Sequence, residues 1–388
     1  MTPSSAPPEP RVVLYVTERA DFFGGGQRSL RDLLSVLDRS RYRPVAVLPD
    51  DGPLAFALRA DDVPTRFVPL PCLAPGSLVA APRALLTLAG VARRKGAVLL
   101  HSDAPRAALY AGLAARFLRL PHLWHVRASQ PSSETADRLL ASLATRIVAV
   151  SQAAARRSVV FRRARHVTVI PTGIAAANPF DRATARTRLR LPREGTILGL
   201  VGRLEKDKGG EEAIAAFERL HAADPSRLLV FVGGPGEDPA YPSSLQALAE
   251  SRGLGAAVIF AGARPDAAAL FPAFDLLLHP SHHEALPRVL IEALQAGVPV
   301  VATSAGGSVE VIEDGVCGLV VPPRHPEALA QAAARLLGDE RLRSACIAAG
   351  NERARTRFDI EAMARAVEAV YADLLLPLGA AAPLGATS

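Results

Sequence analysis

Short runs of apolar and β-branched residues recur along the chain, and stretches with helical spacing separate them. In the first half these runs occupy residues 11–17, 44–49, 96–102, 122–126, 146–151 and 166–171. They are too continuous for strands with one exposed face, and they alternate with helical patterns such as 27–38, 105–118 and 135–144. The pattern predicts parallel strands that helices cover on both faces.

The same pattern restarts after a polar stretch at 178–195. The runs of the second half occupy residues 196–202, 227–233, 256–262, 275–281, 298–304 and 318–322. Each half opens with a strand, a glycine-bearing loop, a helix and a second strand. We therefore predict an α/β protein of two doubly wound, Rossmann-like domains, 11–180 and 190–357, with the substrate in the cleft between them.

The two ends of the chain differ from these domains. Residues 1–10 predict a disordered leader, and residues 377–388 predict a flexible tail of low complexity. Residues 358–376 are amphipathic at helical spacing. This predicted helix either closes the second domain or crosses back to complete the first.

Composition excludes several classes of protein. Apolar residues make up 49% and charged residues 21% of the chain, as in ordinary globular proteins. No run approaches the roughly 18 to 20 apolar residues that span a membrane, and the first ten residues lack the pattern of a signal peptide. Cys72, Cys317 and Cys346 lack the spacing of a disulfide framework or a zinc site. We expect a cytoplasmic protein.

The net charge of +7 favours anionic partners such as phosphates, nucleic acid or an acidic membrane face. No nucleic-acid-binding motif or aromatic platform is visible, so we expect no nucleic acid. Residues 154–166 interleave arginine with apolar residues. This segment is either a plain solvated helix or a peripheral contact with the anionic inner face of the membrane.

The stretch HPSHHEALPRVLIEALQAG, residues 279–297, contains a predicted helix. Proline is favoured at the first helical position, so Pro287 predicts the start of the helix and Gly297 its end. The amides of Arg288 and Val289 then face the preceding loop. Free amides at a positively polarised helix terminus form a site for phosphate.

Two glutamates flank this predicted phosphate site. Glu284 lies just before the helix and Glu292 about two turns inside it. Carboxylates beside a phosphate site suit a ligand whose sugar hydroxyls donate hydrogen bonds to them. The alternative is that Glu284 caps the helix and Glu292 is a solvated surface charge. The sequence HHEALP lacks the second histidine of the zinc-protease pattern, so we expect no metal.

A second cluster is VGRLEKDKGG, residues 201–210. Arg203 follows a predicted strand, and Lys206 and Lys208 precede two glycines that open a helix. An arginine fork and a compact lysine charge together suit a diphosphate. The alternative is a solvated loop that is salt-bridged to its neighbouring acids, which we favour for Lys206 alone.

Two features of the first half complete the candidates. Gly24, Gly25 and Gly26 precede a helix and let the backbone approach a ligand, but Ser29 stands where a dinucleotide-binding fingerprint needs glycine. NAD binding is therefore disfavoured, and a plain flexible turn is the alternative. His125 follows a strand pattern and is either a structural histidine or a group that points into the cleft.

Together these segments resemble the retaining GT-B glycosyltransferases of family 4, over nearly the whole chain. FGGGQRSLRDLLSVL is similar to the family's amino-terminal glycine loop, RIVAVSQAA and VTVIPTGI to its strand segments, and VGRLEKDKG to its "VGRL...KG" signature. HPSHHEALPRVLIEALQAGVPVVAT is similar to the donor-site core with its paired glutamates. The chain departs from the family pattern at Thr172, Ala175, Ala285 and Leu286.

The resemblance implies roles for these residues in binding a nucleotide-diphosphate sugar. Arg203 and Lys208 would hold the diphosphate, Glu292 the ribose, and Glu284 the hydroxyls of the transferred sugar. The remaining implied contacts are the amides near Leu286, Pro287 and Arg288 at the phosphates, Gly25 and Gly26 over the donor, His125 at the reacting sugar, and Arg264 in the loop near the base.

The resemblance also implies transfer of the sugar to an acceptor hydroxyl with retention and without a metal or other cofactor. The acceptor would be a glycan, a lipid-linked molecule or a small molecule, as in cell-surface polysaccharide or glycolipid synthesis. Two alternatives remain open. One is a nucleotide-sugar 2-epimerase, and the other is a non-catalytic module that binds sugar nucleotides.

Overall fold

The structure is a computed structural model that describes residues 9–22, 24–72, 79–131, 133–164, 166–176 and 178–376. The predicted tail at 377–388 and residues 1–8 of the predicted leader lie outside the described residues.

The first domain contains a parallel sheet. Its strands are β1 Arg11–Val16, β2 Tyr42–Leu48, β3 Thr65–Phe67, β4 Ala97–Ser102, β5 His122–Val126, β6 Arg146–Ala149 and β7 Val167–Val169. Their order is β3-β2-β1-β4-β5-β6-β7, with every pair parallel. The sequence pattern missed β3, which is a three-residue edge strand with two exposed residues.

The second domain contains a similar parallel sheet. Its strands are β8 Ile197–Val201, β9 Leu228–Val232, β10 Val258–Phe260, β11 Leu276–His279, β12 Val300–Thr303 and β13 Leu319–Val321. Their order is β10-β9-β8-β11-β12-β13. In both sheets the strand order reverses at the first strand, and ligands of such sheets bind at that point, beyond the carboxyl ends of the strands. The predicted pair of Rossmann-like domains is confirmed.

Helices cover both sheets. They are α1 Gly25–Val36, α2 Pro53–Ala60, α3 Ala80–Lys95, α4 Pro105–Leu118, α5 Glu134–Leu143, α6 Gln152–Ala155, α7 Val159–Arg163, α8 Arg182–Arg188, α9 Gly210–Ala223, α10 Tyr241–Ser251, α11 Arg288–Gln295, α12 Ser308–Val311, α13 Pro326–Gly338, α14 Glu340–Arg357 and α15 Ile360–Leu374. Over the part of the chain that the structure describes, none is both long and apolar enough to cross a bilayer.

The polar stretch at 178–195 is anchored to the second domain. It contains α8, and the buried guanidinium of Arg186 donates hydrogen bonds to the carbonyls of Ala273 and Gly195 and to the carboxylate of Asp275. Each buried donor therefore has a partner, as a buried charge requires. The polar composition of this stretch reflects these internal contacts as well as solvent exposure.

The arginine-rich segment 154–166 is not one solvated helix, so that prediction is wrong. The chain breaks between α6 and α7, and Arg157 is buried. Its Nε donates to Asp137 over 2.9 Å, and its guanidinium lies about 5 Å from the ring centres of Trp124 and Phe161. Arg157 thus stabilises the domain from within, while its neighbours Arg156, Arg162 and Arg163 are exposed.

The last helix crosses back to the first domain. Ile360, Met363 and Val367 of α15 lie in the same buried cluster as residues of β1. The hydroxyl of Tyr371 is 2.6 Å from that of Tyr15 and 2.6 Å from Nδ1 of His101. The terminal helix therefore packs on the first sheet and does not close the second domain.

Candidate active site

α11 begins one residue later than the sequence predicts. Pro287 has φ −74° and ψ 109°, so it precedes the helix, which runs Arg288–Gln295. A ψ of this size is extended, and the proline directs the chain into the helix instead of forming its first turn. Leu286 and Pro287 are buried. The helix ends before Gly297, whose φ of +69° is left-handed, as predicted.

Glu284 lies in a network of charges just before α11. Its Oε1 is 2.9 Å from Nζ of Lys208 and 3.2 Å from Nε2 of His279. Burial alone would raise the pKa of Glu284, but the hydrogen bond from His279 and the charge and hydrogen bond of Lys208 lower it to about 2. No side chain caps α11, so the interpretation of Glu284 as a helix cap is wrong.

Lys208 reaches Glu284 because two loops cross in close contact. After β8 the chain forms a 3₁₀ turn over Lys206–Lys208, followed by Gly209 with φ +71°. A Cβ on Gly209 would lie 2.2 Å from the carbonyl oxygen of Pro280. Only glycine fits both the conformation and the space, so Gly209 is what allows Lys208 to lie beside the loop of Glu284.

Arg203 joins this cluster from the end of β8. Its guanidinium is 2.7 Å from Oε1 of Glu205, which also accepts the amide of Glu237 over 3.1 Å. Burial lowers the pKa of Lys208 and the charge of Arg203 adds to that, but acidic neighbours led by Glu284 outweigh both and raise it. Arg203 also lines an open cavity of about 560 Å³ with Glu205, Lys206, Asp207, Glu237, Asp238 and Tyr241.

Glu292 is buried within α11, with 8% of its surface exposed, so its interpretation as a solvated surface charge is wrong. Its Oε1 is 3.7 Å from a guanidinium nitrogen of Arg288. The same guanidinium crosses to the first domain, where it is 2.7 Å from Asp32 and donates to the hydroxyl of Ser29 over 3.0 Å. The predicted role of Arg288 was that of its backbone amide, but its side chain joins the two domains.

The first turn of α1 lies against two arginines. A Cβ on Gly25 would be 3.1 Å from Cδ of Arg288, and one on Gly26 would be 3.6 Å from Cδ of Arg127. These distances leave little room for side chains on the two glycines. The glycines are therefore located where the two domains meet at the cleft.

His125 is buried near the carboxyl end of β5. Its Nδ1 is 3.4 Å from a guanidinium nitrogen of Arg127, and its ring stacks on His101 with 5.4 Å between centres. Burial and the charge of Arg127 lower the pKa of His125 well below its usual value. The imidazole is neutral at physiological pH, and its Nε2 has no hydrogen-bond partner among the described residues.

Comparison with known families accounts for both halves of the chain. The family described as "Glycosyltransferase Family 4" matches residues 23–178, and the family described as "Glycosyl transferases group 1" matches residues 181–353. The two matches adjoin at the junction between the domains. The chain belongs to glycosyltransferase family 4.

Several curated proteins are similar to this family 4 chain. The D-inositol 3-phosphate glycosyltransferase of Acidothermus cellulolyticus is 35% identical over 218 residues, which are 54% of this chain and 48% of that protein. The protein of the same name from Thermobispora bispora is 34% identical over 257 residues, or 63% of this chain and 60% of that protein. The chain thus spans about half of the length of the curated relatives that it matches.

Solved structures share the fold over almost the whole chain. Anabaena HepE in complex with UDP has a TM-score of 0.81 and 24% identity, and the match covers 93% of this chain and 99% of that one. Sucrose-phosphate synthase from Thermosynechococcus elongatus has a TM-score of 0.77 and 23% identity, with coverage of 94% and 99%. These likenesses establish the architecture.

The predicted site residues of this family 4 chain fall into two connected groups. Lys208 and Glu284 are in direct contact, with Arg203 nearby. Glu292 is linked through Arg288 to the first domain. Arg264 is in neither group, because its guanidinium binds Asp266 over 2.9 and 3.0 Å and the carbonyl of Arg188 over 3.1 Å.

Sequence reasoning missed four residues of this region. His279 contacts the carboxylate of Glu284, and Asp32 and Ser29 contact the guanidinium of Arg288. Arg127 lies beside both His125 and α1. A signal existed for His279 and Arg127, because each stands at or just after the carboxyl end of a predicted strand, where ligands bind. Asp32 and Ser29 lie inside a helix and carry no such signal.

Proposed function

We propose that the chain transfers a sugar from a nucleotide-diphosphate sugar to an acceptor hydroxyl with retention of the anomeric configuration. The observation that carries the proposal is the buried contact between Lys208 and Glu284, just before the N terminus of α11. It combines a cation for phosphate with a carboxylate for sugar hydroxyls at one point of the cleft.

The charges fit the reaction. The bond between the anomeric carbon and the phosphate oxygen breaks, and negative charge develops on the departing diphosphate. Lys208, Arg203 and the first amides of α11 are fixed groups that stabilise this charge, and such groups need no reorganisation during the reaction. The lowered pKa of Glu284 keeps its carboxylate ionised to accept hydrogen bonds from the sugar.

Retention follows if the acceptor attacks the face from which the diphosphate leaves. The acceptor oxygen bonds to the anomeric carbon, and its proton passes to the departing phosphate oxygen. No protein carboxylate attacks in this scheme, and no metal takes part. Proton NMR of the first product distinguishes retention from inversion, and a glycosyl ester found on Glu284 of the wild-type protein contradicts the scheme.

The similar proteins support a nucleotide-sugar donor. Structures of HepE contain UDP, UDP and glucose, or UDP-glucose, and the curated relatives are glycosyltransferases. These names favour transfer over 2-epimerisation. Incubation with donor alone separates the two reactions, because an epimerase converts the sugar without an acceptor.

Donor binding tests the proposal. A thermal-shift panel with UDP-, GDP- and ADP-sugars is expected to single out one nucleotide, since a ligand at a hundred times its dissociation constant stabilises the protein by about 2.7 kcal/mol. Lys208→Ala is expected to abolish the shift. Lys95→Ala, at the end of α3 in the first domain, is the matched control. No shift with any nucleotide sugar would refute the proposal.

We further propose a cytoplasmic location, with contact between the exposed Arg156, Arg162 and Arg163 and an anionic membrane face. The supporting observation is that these three arginines remain exposed while Arg157 is buried. Co-sedimentation with vesicles of anionic or neutral lipid tests the contact. Equal binding to both, or binding unchanged in Arg162→Ala/Arg163→Ala, contradicts it.

A further inference from the structure

Polar side chains form a row at the carboxyl end of the first sheet. The last paired positions of β1, β4 and β5 are in register with one another. The next residues along these strands are Thr17, Asp103 and His125. Residues in register on parallel strands point to the same face, so the three side chains lie side by side. β1 and β4 adjoin where the strand order reverses, which is where such sheets bind ligands.

The atoms of this row are buried and have few partners. Nε2 of His125 has no hydrogen-bond partner within the described parts of the chain, and the only side chain there that hydrogen-bonds to the carboxylate of Asp103 is that of Thr17. Only 8% of Asp103 and 1% of Thr17 and His125 is exposed. Buried polar atoms in native proteins are nearly always paired. The unpaired nitrogen of His125 and the carboxylate of Asp103, whose two oxygens share one hydroxyl, therefore indicate a ligand that completes their hydrogen bonds.

The row is adjacent to the cleft. Arg127, two residues beyond His125 and just past the end of β5, has a buried Nε that also lacks a partner among the described residues. The first turn of α1 lies against it, with a distance of 3.6 Å from an added Cβ on Gly26 to Cδ of Arg127. The charge of Arg288 from the second domain acts on Arg127 as well. The open atoms therefore lie across the cleft from Lys208 and Glu284.

The charges of this region are balanced. Arg288 is paired with Asp32 over 2.7 Å, and the charges that act on Arg127 include those of Asp103 and Asp32. The negative charge of Glu18 also acts on the carboxylate of Asp103. Arg106 in turn lies 3.9 Å from Glu18, and Arg288 lies 3.7 Å from Glu292. Three arginines are thus balanced by the four acids Asp32, Asp103, Glu18 and Glu292, which leaves no positive charge to spare for a phosphate on the ligand. The open atoms instead suit hydroxyl groups, which both donate and accept hydrogen bonds.

We propose that Asp103, Thr17, His125 and Arg127 form the acceptor subsite, and that it takes an uncharged polyhydroxyl group, such as a sugar or a cyclic polyol without phosphate. The carboxylate of Asp103 accepts hydrogen bonds from two hydroxyls of this group, and Arg127 donates to one of their oxygens. The inference rests on the proposed function and adds the chemical class of the acceptor.

Saturation-transfer NMR on the full chain tests this subsite. The protein is loaded with whichever nucleotide gives the largest thermal shift, and glucose, myo-inositol and D-inositol 3-phosphate are titrated separately. We expect the two uncharged probes to bind, and the phosphate to bind no more tightly than myo-inositol. Asp103→Ala and the nearly isosteric Thr17→Val are expected to weaken binding of the uncharged probes at least tenfold and threefold, without changing the affinity for the nucleotide.

Each outcome decides between the hypotheses. Tighter binding of D-inositol 3-phosphate by tenfold or more, especially if Arg127→Ala removes it, overturns the assignment in favour of an anionic acceptor. Unchanged binding in both variants, or no binding of uncharged probes to the loaded wild-type protein, also overturns it. If no nucleotide binds, the proposed function fails first, and the subsite falls with it. Thermal melts of both variants verify that they are folded.

Discussion

Two largely buried carboxylates, Glu284 in the second domain and Asp103 in the first, differ in almost every respect. Glu284 in the second domain contacts Lys208 and His279, and these partners lower its pKa to about 2. Asp103 in the first domain is hydrogen-bonded by no side chain other than that of Thr17 among the described residues, and burial raises its pKa to about 6 despite this contact and the charge of Arg127. The carboxylate on the donor side is therefore paired with a cation before any ligand binds, whereas the carboxylate on the acceptor side contacts only a neutral hydroxyl.

This difference indicates that the two sides contribute with opposite sign to the free energy of unfolding. A donor must exchange existing contacts of Lys208 and Glu284 for its own phosphates and hydroxyls. An acceptor meets open hydrogen-bonding atoms whose burial has already destabilised the domain. The donor side is consequently expected to contribute to stability, and the acceptor side to reduce it.

The largest effect is expected from Lys208→Ala on turnover of the donor. Loss of one fixed group that stabilises the leaving charge typically slows a reaction by about a hundredfold or more. Hydrolysis or transfer measured at saturating donor separates this loss from weaker binding. The control is Lys95→Ala, and a loss below threefold in Lys208→Ala would contradict the assigned role.

Glu284→Gln is expected to destabilise the protein at pH 7 by about 3 kcal/mol, since each unit of pKa shift corresponds to about 1.4 kcal/mol. The folded pKa is below that of the unfolded chain, so the stabilisation is present above the usual pKa of glutamate and is lost as the pH falls toward 2. Urea denaturation at pH 7 and pH 3 measures the change. The exposed Glu194→Gln serves as the control, and equal stability of the two variants would be contrary evidence.

Asp103→Asn is expected to have the opposite sign and to stabilise the protein at pH 7 by about 3 kcal/mol. The folded pKa of about 6 lies above the usual 3.8, so the wild-type protein loses stability as the pH rises from about 4 through 6. The gain should nearly vanish at pH 4. Denaturation of wild type, Asp103→Asn and the exposed Asp373→Asn at both pH values tests this, and destabilisation of Asp103→Asn at pH 7 would refute it.

The smallest expected effect concerns the link between the two sides. A double-mutant cycle with Arg288→Gln and Asp32→Asn should give a coupling free energy of about 1 kcal/mol, because the pair is mostly buried. The exposed pair Arg219 and Glu327 should give less than about 0.5 kcal/mol in the same measurement. If the two couplings are equal, Arg288 does not hold the domains together.

Sequence reasoning reached the fold because both sheets consist of continuous apolar strands, and their alternation with helices is a local pattern. It also brought Lys208 and Glu284 into one hypothesis, although 76 residues separate them. Both stand beyond the carboxyl ends of strands that are neighbours in a doubly wound sheet, β8 and β11. Topology alone therefore places them together.

The side-chain partners could not be predicted in the same way. The direction of Arg288 depends on how the two domains pack, and that arrangement has no local signal. The resemblance implies that Arg264 lies in the loop near the nucleotide base. In the structure its guanidinium donates two hydrogen bonds to Asp266, two residues away. Asp103 and Thr17 could have been found, since Thr17 ends one predicted strand and Asp103 immediately follows another.

The return of α15 to the first domain has a consequence for biosynthesis. Tyr371 completes the buried contacts of Tyr15 and His101, yet it is synthesised only after the whole second domain. The first domain therefore cannot complete its core until the second domain and α15 have been synthesised. A nascent chain released before residue 360 would expose the ring of His101, against which the neighbouring histidine of the cleft is stacked.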